Sequence, residues 1–293
     1  MNPNLSFLLL PYTRRELPGW SRLMRLAGYG AALGGAQRML PGWSAMPKVI
    51  VIGKRHGFKM KLDRSDWAQC STYFLGRYYE LGVQRTLDKL LRKGDIFVDI
   101  GANIGMISLH ARYLVGATGS VICFEPNPEC ANVLDEHMAM NGILNVNVRR
   151  CALAETSGIL TLSLTSEHTG TATLAKVSGA VRSLSVPVCV GDEELIGIVP
   201  RLIKIDVEGF ELQVLKGLKK TLIQHKPFII TELVQDHLNR AGSSISEVSE
   251  FLIDIGYKPH GIGTARSPVR HDVTLTPTIT ATSEFSDWFW TPL

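Results

Sequence analysis

Two acidic residues, Asp99 and Glu125, each stand at the end of an apolar run and together could bind a ligand that carries hydroxyl groups. Asp99 precedes the segment from Gly101 through Asn103 to Gly105, where glycine permits a tight turn and a close approach of the backbone to a ligand. Glu125 follows Asp99 by 26 residues, which fits one βαβ unit. A carboxylate at that position accepts two hydrogen bonds from a ribose diol, so the pair predicts a nucleotide-like ligand.

The charge of the same pair indicates which nucleotide-like ligand fits. Asn103 stands where the dinucleotide-binding pattern has its second glycine, and a pyrophosphate beside Asp99 would meet like charge. A cationic sulfonium with a zwitterionic amino-acid tail would not. The residues therefore favour S-adenosylmethionine over NAD, with the ribose on Glu125 and the amino-acid tail near Asp99 and Asn103. The structural alternative is that Asp99 caps the turn and Glu125 is a solvated strand end.

A second group of ionisable residues runs from Lys204 through Asp206 and Glu208 to Glu211 and could remove a proton from an attacking hydroxyl. Strand alternation puts Lys204 and Asp206 on one face. We predict Asp206 or Glu208 as the general base, with Lys204 beside them and His168, in the polar loop 166–173, as a third candidate. The structural alternative, an acidic cap at a helix start, is the one we favour for Glu211.

Both groups need one scaffold, an open α/β sheet in which the carboxyl ends of parallel strands meet at one edge. Apolar runs predict the hairpin 49–52 and 58–62, and an inserted antiparallel pair near 158–164 and 186–190. Ala152 to Glu155, after the third core strand, is predicted to border the adenine. Core strands are predicted at 96–100, 120–125, 145–149, 201–206, 228–233, 257–262 and 287–291. Between them lie amphipathic helices, one ending at Gly94, one spanning Val214 to Leu222, and one opened by the capping box Ser244 to Glu247.

Length and composition suit one large globular domain with an extension. The chain has 293 residues, of which 45% are hydrophobic. Five cysteines show no metal-ligand spacing and suit a reducing compartment, and we assign no metal ligand. No apolar run reaches transmembrane length and no signal peptide is recognisable, so we predict a cytoplasmic protein.

The charge is unevenly distributed. Residues 1–64 hold eleven Lys and Arg against two acidic residues, although the whole chain carries only +4. Trp20, Leu23 and Ala27 predict a helix in this segment, with Arg22 and Arg25 beside its apolar stripe. The basic extension predicts contact with an anionic acceptor or peripherally with the inner face of a membrane. The alternative is a solvated arm that packs on the body. No nucleic acid partner is expected.

Three motifs in this order and spacing resemble the FkbM-type S-adenosylmethionine-dependent methyltransferases. They are Asp99 to Gly105, Phe124 to Pro128, and Lys204 to Glu211, and the likeness extends from about Phe58 to the C-terminus. The resemblance implies a class I methyltransferase (Rossmann-like) fold with a seven-stranded, mostly parallel sheet whose last strand is antiparallel. It also implies O-methylation of a hydroxyl on a sugar, glycan or related small molecule.

The predicted organisation is therefore a basic helical extension at 1–45, a β-hairpin and helix at 46–93, and an S-adenosylmethionine-binding domain at 94–293. The predicted cofactor residues are Asp99, Gly101, Asn103, Gly105, Glu125, Ala152 and Glu155. Two other functions remain open on the sequence: a nucleotide-dependent oxidoreductase, and a non-catalytic methyltransferase-like scaffold in glycan assembly.

Overall fold

A computed structural model of the chain describes residues 3–20, 22–23, 46–164, 172–175, 180–266 and 271–293. The chain divides into two compact units. The first contains residues 1–80 and 139–141, and the second contains residues 81–138 and 142–293. The three-part organisation into 1–45, 46–93 and 94–293 stays a prediction.

The second unit is built on an eight-stranded sheet. Its strands, in spatial order, are β13 (His271–Pro277), β12 (Tyr257–Arg266), β14 (Asp287–Pro292), β11 (Phe228–Glu232), β10 (Leu202–Ile205), β3 (Ile96–Ile100), β4 (Ser120–Phe124) and β5 (Val146–Arg149). Strands β5, β4, β3, β10 and β11 pair in parallel, and β14 enters antiparallel between β11 and β12. The seven predicted strands and the mostly parallel class I arrangement are confirmed. The predicted count of seven is one short, because β13 adds an antiparallel edge strand beside β12.

The central strands are apolar because helices cover both faces of such a sheet. β10 is buried at all four positions, and β3 and β4 are buried at their last four. The covering helices of this unit are α3 (Leu81–Leu90), α4 (Met106–Val115), α5 (Pro128–Met140), α6 (Gly191–Glu194), α7 (Glu211–Gly217), α8 (Lys219–His225), α9 (Gln235–Arg240) and α10 (Ile245–Asp254). Trp288 and Trp290 on β14 are fully buried and anchor the antiparallel end.

Two predicted helix boundaries were wrong, and one strand was not predicted. The helix predicted to end at Gly94 ends at Leu90, and Gly94 lies in the following turn with φ 92°. The single helix predicted over 214–222 is two helices, α7 and α8, which meet at Leu218. The additional strand β13 has only Val273 and Leu275 as large apolar residues, so its alternation is too short to stand out from a loop.

The inserted antiparallel pair is confirmed and lies in a sheet of its own. β7 (Gly158–Leu164) pairs antiparallel with β9 (Arg182–Val190), and β8 (Ala172–Thr173) lies beside β7. β6 (Ala152–Ala154) pairs in parallel with β9. Residues 166–171 of the predicted polar loop, His168 among them, lie outside the described residues.

The first unit contains a 3₁₀ helix (Pro3–Leu9), α1 (Leu10–Thr13), α2 (Trp67–Leu75) and the antiparallel hairpin of β1 (Val49–Ile52) and β2 (Lys59–Leu62), which confirms the predicted hairpin. Glu16 binds Arg77 and Lys54, and although burial acts in the opposite direction, these cations lower its pKa to about 2.

Most of the predicted helix around Trp20 to Ala31 lies outside the described residues. Within the part of the chain that the structure covers, no helix is long and apolar enough to cross a membrane.

Candidate functional site

The turn between β3 and α4 has a left-handed backbone conformation at three positions, and its residue types permit this. Gly101, Asn103 and Gly105 have φ values of 77°, 51° and 81°, the left-handed region that glycine and asparagine tolerate. The Asn103 side-chain oxygen accepts a hydrogen bond of 2.8 Å from the Ile104 N–H, and the Gly101 N–H donates to the Phe124 carbonyl oxygen at 3.0 Å. The predicted tight turn is confirmed.

The reason for glycine at position 101 differs from the one expected. A Cβ built on Gly101 would lie 1.9 Å from the Asp206 carbonyl oxygen. The sequence predicts that this glycine lets a ligand approach the backbone. The structure shows that it lets another turn of the protein approach closely. The glycine turn and the turn after β10 therefore touch through their backbones, and the two predicted groups of site residues are neighbours.

Glu125 joins the glycine turn to the start of α5. Its Oε2 accepts a hydrogen bond of 2.7 Å from the Asn103 N–H, and its Oε1 accepts one of 2.8 Å from the Asn127 N–H. The side chain is buried, not solvated, and burial raises its pKa to about 7 despite these two hydrogen bonds. Each carboxylate oxygen keeps a second lone pair, so the group fits a ribose diol, which needs two acceptors.

Asp99 lies beneath the turn, with no exposed surface. Its Oδ2 accepts a hydrogen bond of 2.6 Å from the Ser108 hydroxyl, and its Oδ1 has no hydrogen-bond partner among the described residues. Burial raises the pKa of Asp99, although the nearby Lys204 charge acts in the opposite direction. In the structure the Asp99 carboxylate contacts the Ser108 hydroxyl. Its predicted position beside the amino-acid tail of the cofactor stays a prediction.

Lys204 and Asp206 form an ion pair at the carboxyl end of β10, in which Lys204 is buried and the Asp206 side chain is 21% exposed. The Lys204 Nζ donates to the Asp206 Oδ2 at 2.8 Å, and Lys204 is directly opposite Asp99 in the register of β10 and β3. Burial alone would raise the pKa of Asp206, but the charge and hydrogen bond of Lys204 and a hydrogen bond with Glu232 lower it. Asp206 therefore holds its negative charge firmly, as the partner of Lys204.

The turn after β10 brings two further carboxylates to this edge. The Glu208 Oε2 lies 2.7 Å from the His237 Nδ1, with each side chain about a quarter exposed. Glu211 is buried, and its Oε1 accepts hydrogen bonds from the Val207 and Gly209 N–H groups. Burial raises the pKa of Glu211 to about 7. Glu211 thus caps the turn, the structural role that the sequence favoured for it.

The remaining predicted cofactor residues lie on the smaller sheet or next to it. Ala152 and Ala154 are buried in β6, and the Ala154 carbonyl oxygen would lie 2.1 Å from a Cβ on Gly217 of α7. Glu155 follows β6 and is exposed. Their predicted position beside the adenine stays a prediction.

With the geometry described, the comparison with known proteins identifies the family. The sequence profile of the Methyltransferase FkbM domain matches residues 99–259, from Asp99 into β12 and more than half of the chain. The chain belongs to the FkbM methyltransferase family. All three motifs that carry the resemblance lie inside the matched region.

Individual relatives of this FkbM methyltransferase are moderately similar. Methyltransferase sdnD of Sordaria araneosa is 30% identical over 43% of this chain and 61% of its own length. Hexuronic acid methyltransferase AglP of Haloferax volcanii is 31% identical over 59% of this chain and 67% of its own length. The chain therefore spans less than two thirds of the first of these relatives. The solved structure of methyltransferase FkbM from Methylobacillus flagellatus KT has a TM-score of 0.41 at 16% identity, over 76% of this chain and 53% of that one.

Three residues of the site in this FkbM methyltransferase were missed by the sequence analysis: Glu232, His237 and Asp287. Glu232 ends β11, is opposite Asp287 on β14, and hydrogen bonds with Asp206. Burial and the Asp206 charge raise the pKa of Asp287 to about 6. The position of Glu232 at the end of a parallel strand next to β10 was a usable signal. No sequence pattern marks His237 or Asp287, because the fold alone brings them here.

A metal centre was not predicted, yet three carboxylates gather at this edge. One oxygen each from Asp206, Glu208 and Glu232 lies within 4.8 Å of the other two. Such spacing would suit a divalent cation, whose preferred ligands are oxygens. In this structure Lys204 forms an ion pair with Asp206, and the Glu208 carboxylate contacts the His237 ring. We therefore interpret the group as a proton-handling cluster.

Proposed function

We propose that this chain is an S-adenosylmethionine-dependent O-methyltransferase that acts on a sugar hydroxyl. The observation that carries the proposal is the backbone contact between the glycine turn and the turn after β10, made possible by Gly101. It sets a carboxylate suited to a ribose, Glu125, at the same sheet edge as the ionisable residues that can receive a proton. Family membership supports the reaction class.

The cofactor is proposed to lie over Gly101 to Gly105, with its ribose on Glu125 and its adenine near Ala152 and Glu155. S-adenosylmethionine supplies, when bound, a methyl carbon that its sulfonium already activates. The protein must therefore hold the acceptor hydroxyl in line with that carbon and remove its proton, and positioning provides most of the rate enhancement. Lys204 and Asp206 keep their opposite charges in place beside the site.

A hexuronic acid or another anionic sugar is the acceptor that the available observations favour. One relative, AglP of Haloferax volcanii, is named hexuronic acid methyltransferase. The surplus of positive charge in residues 1–64 would attract a carboxylate-bearing acceptor, and this attraction would fade with salt. We propose transfer to a ring hydroxyl, and leave the carboxylate of the sugar as the anionic recognition group. Peripheral contact with a membrane through residues 1–45 remains a prediction.

The experiment that tests this function supplies the protein with methyl-labelled S-adenosylmethionine and a panel of hexuronic acid, neutral sugar and amino sugar acceptors. We expect label on the hexuronic acid, stable to the mild alkali that cleaves methyl esters, because an ether survives where an ester does not. Mass spectrometry of the product locates the added methyl group. An alkali-labile product would mean carboxylate methylation, and labelled amino groups would mean N-methylation; either outcome contradicts the proposal.

A further inference from the structure

His237 stands at the sheet edge of the proposed site with one ring nitrogen bound and the other available. Its Nδ1 lies 2.7 Å from the Glu208 Oε2, and the imidazole keeps 29% of its surface exposed. Within the described residues, Nε2 takes part in no hydrogen bond that the structure shows. A partly exposed histidine that is held at one ring nitrogen by a carboxylate, with no described hydrogen bond at the other, has the arrangement of a general base.

The backbone of the turn after β10 is shaped to make this pair. Glu208 has φ 55°, a left-handed conformation that is uncommon for a residue with a Cβ. Gly209 follows with φ 107°, and a Cβ there would lie 2.2 Å from the His237 carbonyl oxygen. The Thr173 hydroxyl donates to the Glu208 carbonyl oxygen at 2.7 Å. The turn is thus fixed between α9 and β8, with the Glu208 side chain directed to His237.

The neighbouring carboxylates are less suited to accept a proton. Asp206 holds Lys204 at 2.8 Å and hydrogen bonds with Glu232, and these contacts stabilise its ionised form. One Glu208 oxygen is already bound to the imidazole. Glu211 is buried in its capping role beneath the turn. Among these groups, His237 is left with a ring nitrogen that makes no hydrogen bond within the described residues.

We propose that His237 is the general base of methyl transfer and that Glu208 is its positioning residue, an inference that rests on the proposed function. The acceptor oxygen forms its bond to the methyl carbon while the carbon–sulfur bond breaks and its electron pair stays on sulfur. The hydroxyl proton passes to Nε2 of His237. Glu208 holds the proton on Nδ1, which leaves Nε2 unprotonated before the reaction, and then stabilises the imidazolium.

The first test replaces His237 with glutamine, with His225→Gln at the end of α8 as the matched control. We expect His237→Gln to lower kcat by about 10²- to 10⁴-fold, the usual contribution of a general base. Affinity for S-adenosylhomocysteine should change less than about twofold, and His225→Gln should behave like the wild type. Full turnover in His237→Gln would overturn the proposal, as would an equal loss in both variants. If the wild type itself transfers no methyl group to any hydroxyl, the proposed function fails instead.

The second test is the pH dependence of kcat at saturating cofactor. We expect kcat to rise with pH in the wild type, because only an unprotonated base can accept the hydroxyl proton, and we expect His237→Gln to lose that rise. Glu208 contacts His237 directly, and the charge of Asp206 interacts with it. Lys204, Glu232 and Asp287 interact in turn with Asp206. Asp287 has a pKa raised to about 6 by burial, so Asp287→Asn is the control, and its profile should keep the rise. A rise that persists in His237→Gln and vanishes in Asp287→Asn would contradict the assignment.

The third test adds a readout besides turnover. Nitrogen-15 NMR of the histidine rings in the free protein should show the His237 ring as the Nδ1–H tautomer, assigned by its absence in His237→Gln. Glu208→Gln should shift that signal towards a tautomer mixture and lower kcat by less than His237→Gln does. An Nε2–H tautomer in the wild type would overturn the proposal. The proposal would also be overturned if EDTA abolished the activity, Mg²⁺ restored it and His237→Gln left it unchanged. The carboxylates would then form a metal centre.

Discussion

Replacing Gly101 with alanine is expected to destabilise the protein by about 3 kcal/mol or more and to abolish cofactor binding. The new Cβ would lie 1.9 Å from the Asp206 carbonyl oxygen, and φ of 77° is strained for any residue with a side chain. Backbone on both sides of the contact prevents relief by a rotamer change. Thermal unfolding should shift down by roughly 6–12 °C at this protein size.

Gly142→Ala is the matched control for this prediction. Gly142 has φ 62°, but a Cβ there meets no heavy atom within 4 Å. It should show only the backbone strain, about 1 kcal/mol, with unchanged cofactor affinity. If Gly101→Ala and Gly142→Ala unfold at the same temperature, the glycine turn and the turn after β10 are not in close contact.

Lys204→Met should cost about 3 kcal/mol of unfolding free energy, the lower end of the penalty for removing one partner of a buried ion pair, because Asp206 is 21% exposed. Lys204 is 5% exposed and is the cation beside both Asp206 and the fully buried Asp99. Methionine fills a similar volume, so the loss measures the uncompensated carboxylates and not a cavity. Urea unfolding at pH 7 provides the value.

The double variant Lys204→Met with Asp206→Asn tests the cause. Because it removes the charge that the lysine balanced, it should recover part of the lost stability, although Asp99 remains buried. It should not recover turnover if the pair orders the site. A single Lys204→Met variant as stable as the wild type would show that the ion pair is not buried as described.

Much of the fold could be predicted from sequence because its signals are local. The runs of β3, β4 and β10 are apolar at nearly every position, and the capping box at Ser244 is realised, with the Ser244 Oγ accepting from the Glu247 N–H. One failure depended on context, because β13 exists where β12 offers it an edge. The break of the helix over 211–225 at Leu218 directly follows Gly217, a local signal that the prediction did not use.

The candidate site was predicted where it follows single strands, and missed where it depends on packing. Asp206 and Glu125 end strands, so the α/β rule places them at one edge. The surroundings of the predicted carboxylates could not be predicted from the sequence. Glu125 is buried, and Asp99 binds Ser108 beneath the turn. His237 reaches Glu208 only because Gly209 lets the turn approach α9, a contact between residues far apart in sequence.

Cofactor binding should be linked to the ionisation of Glu125. Burial raises its pKa to about 7 in the free protein, so the carboxyl group is partly protonated at neutral pH. A ribose diol donates two hydrogen bonds and therefore favours the ionised form, which lowers the pKa in the complex. Affinity should consequently rise as the pH increases through about 7, and this dependence should vanish in Glu125→Gln.

Titration calorimetry of S-adenosylhomocysteine and NAD against the wild type and Glu125→Gln at pH 6 and pH 8 tests whether Glu125 binds the cofactor ribose. We expect the wild type to bind S-adenosylhomocysteine and not NAD, and to bind it more tightly at pH 8. We expect Glu125→Gln to weaken binding by about 1–3 kcal/mol, the range for charge-assisted hydrogen bonds. Binding of NAD without S-adenosylhomocysteine, or unchanged affinity in a folded Glu125→Gln variant, would contradict this assignment.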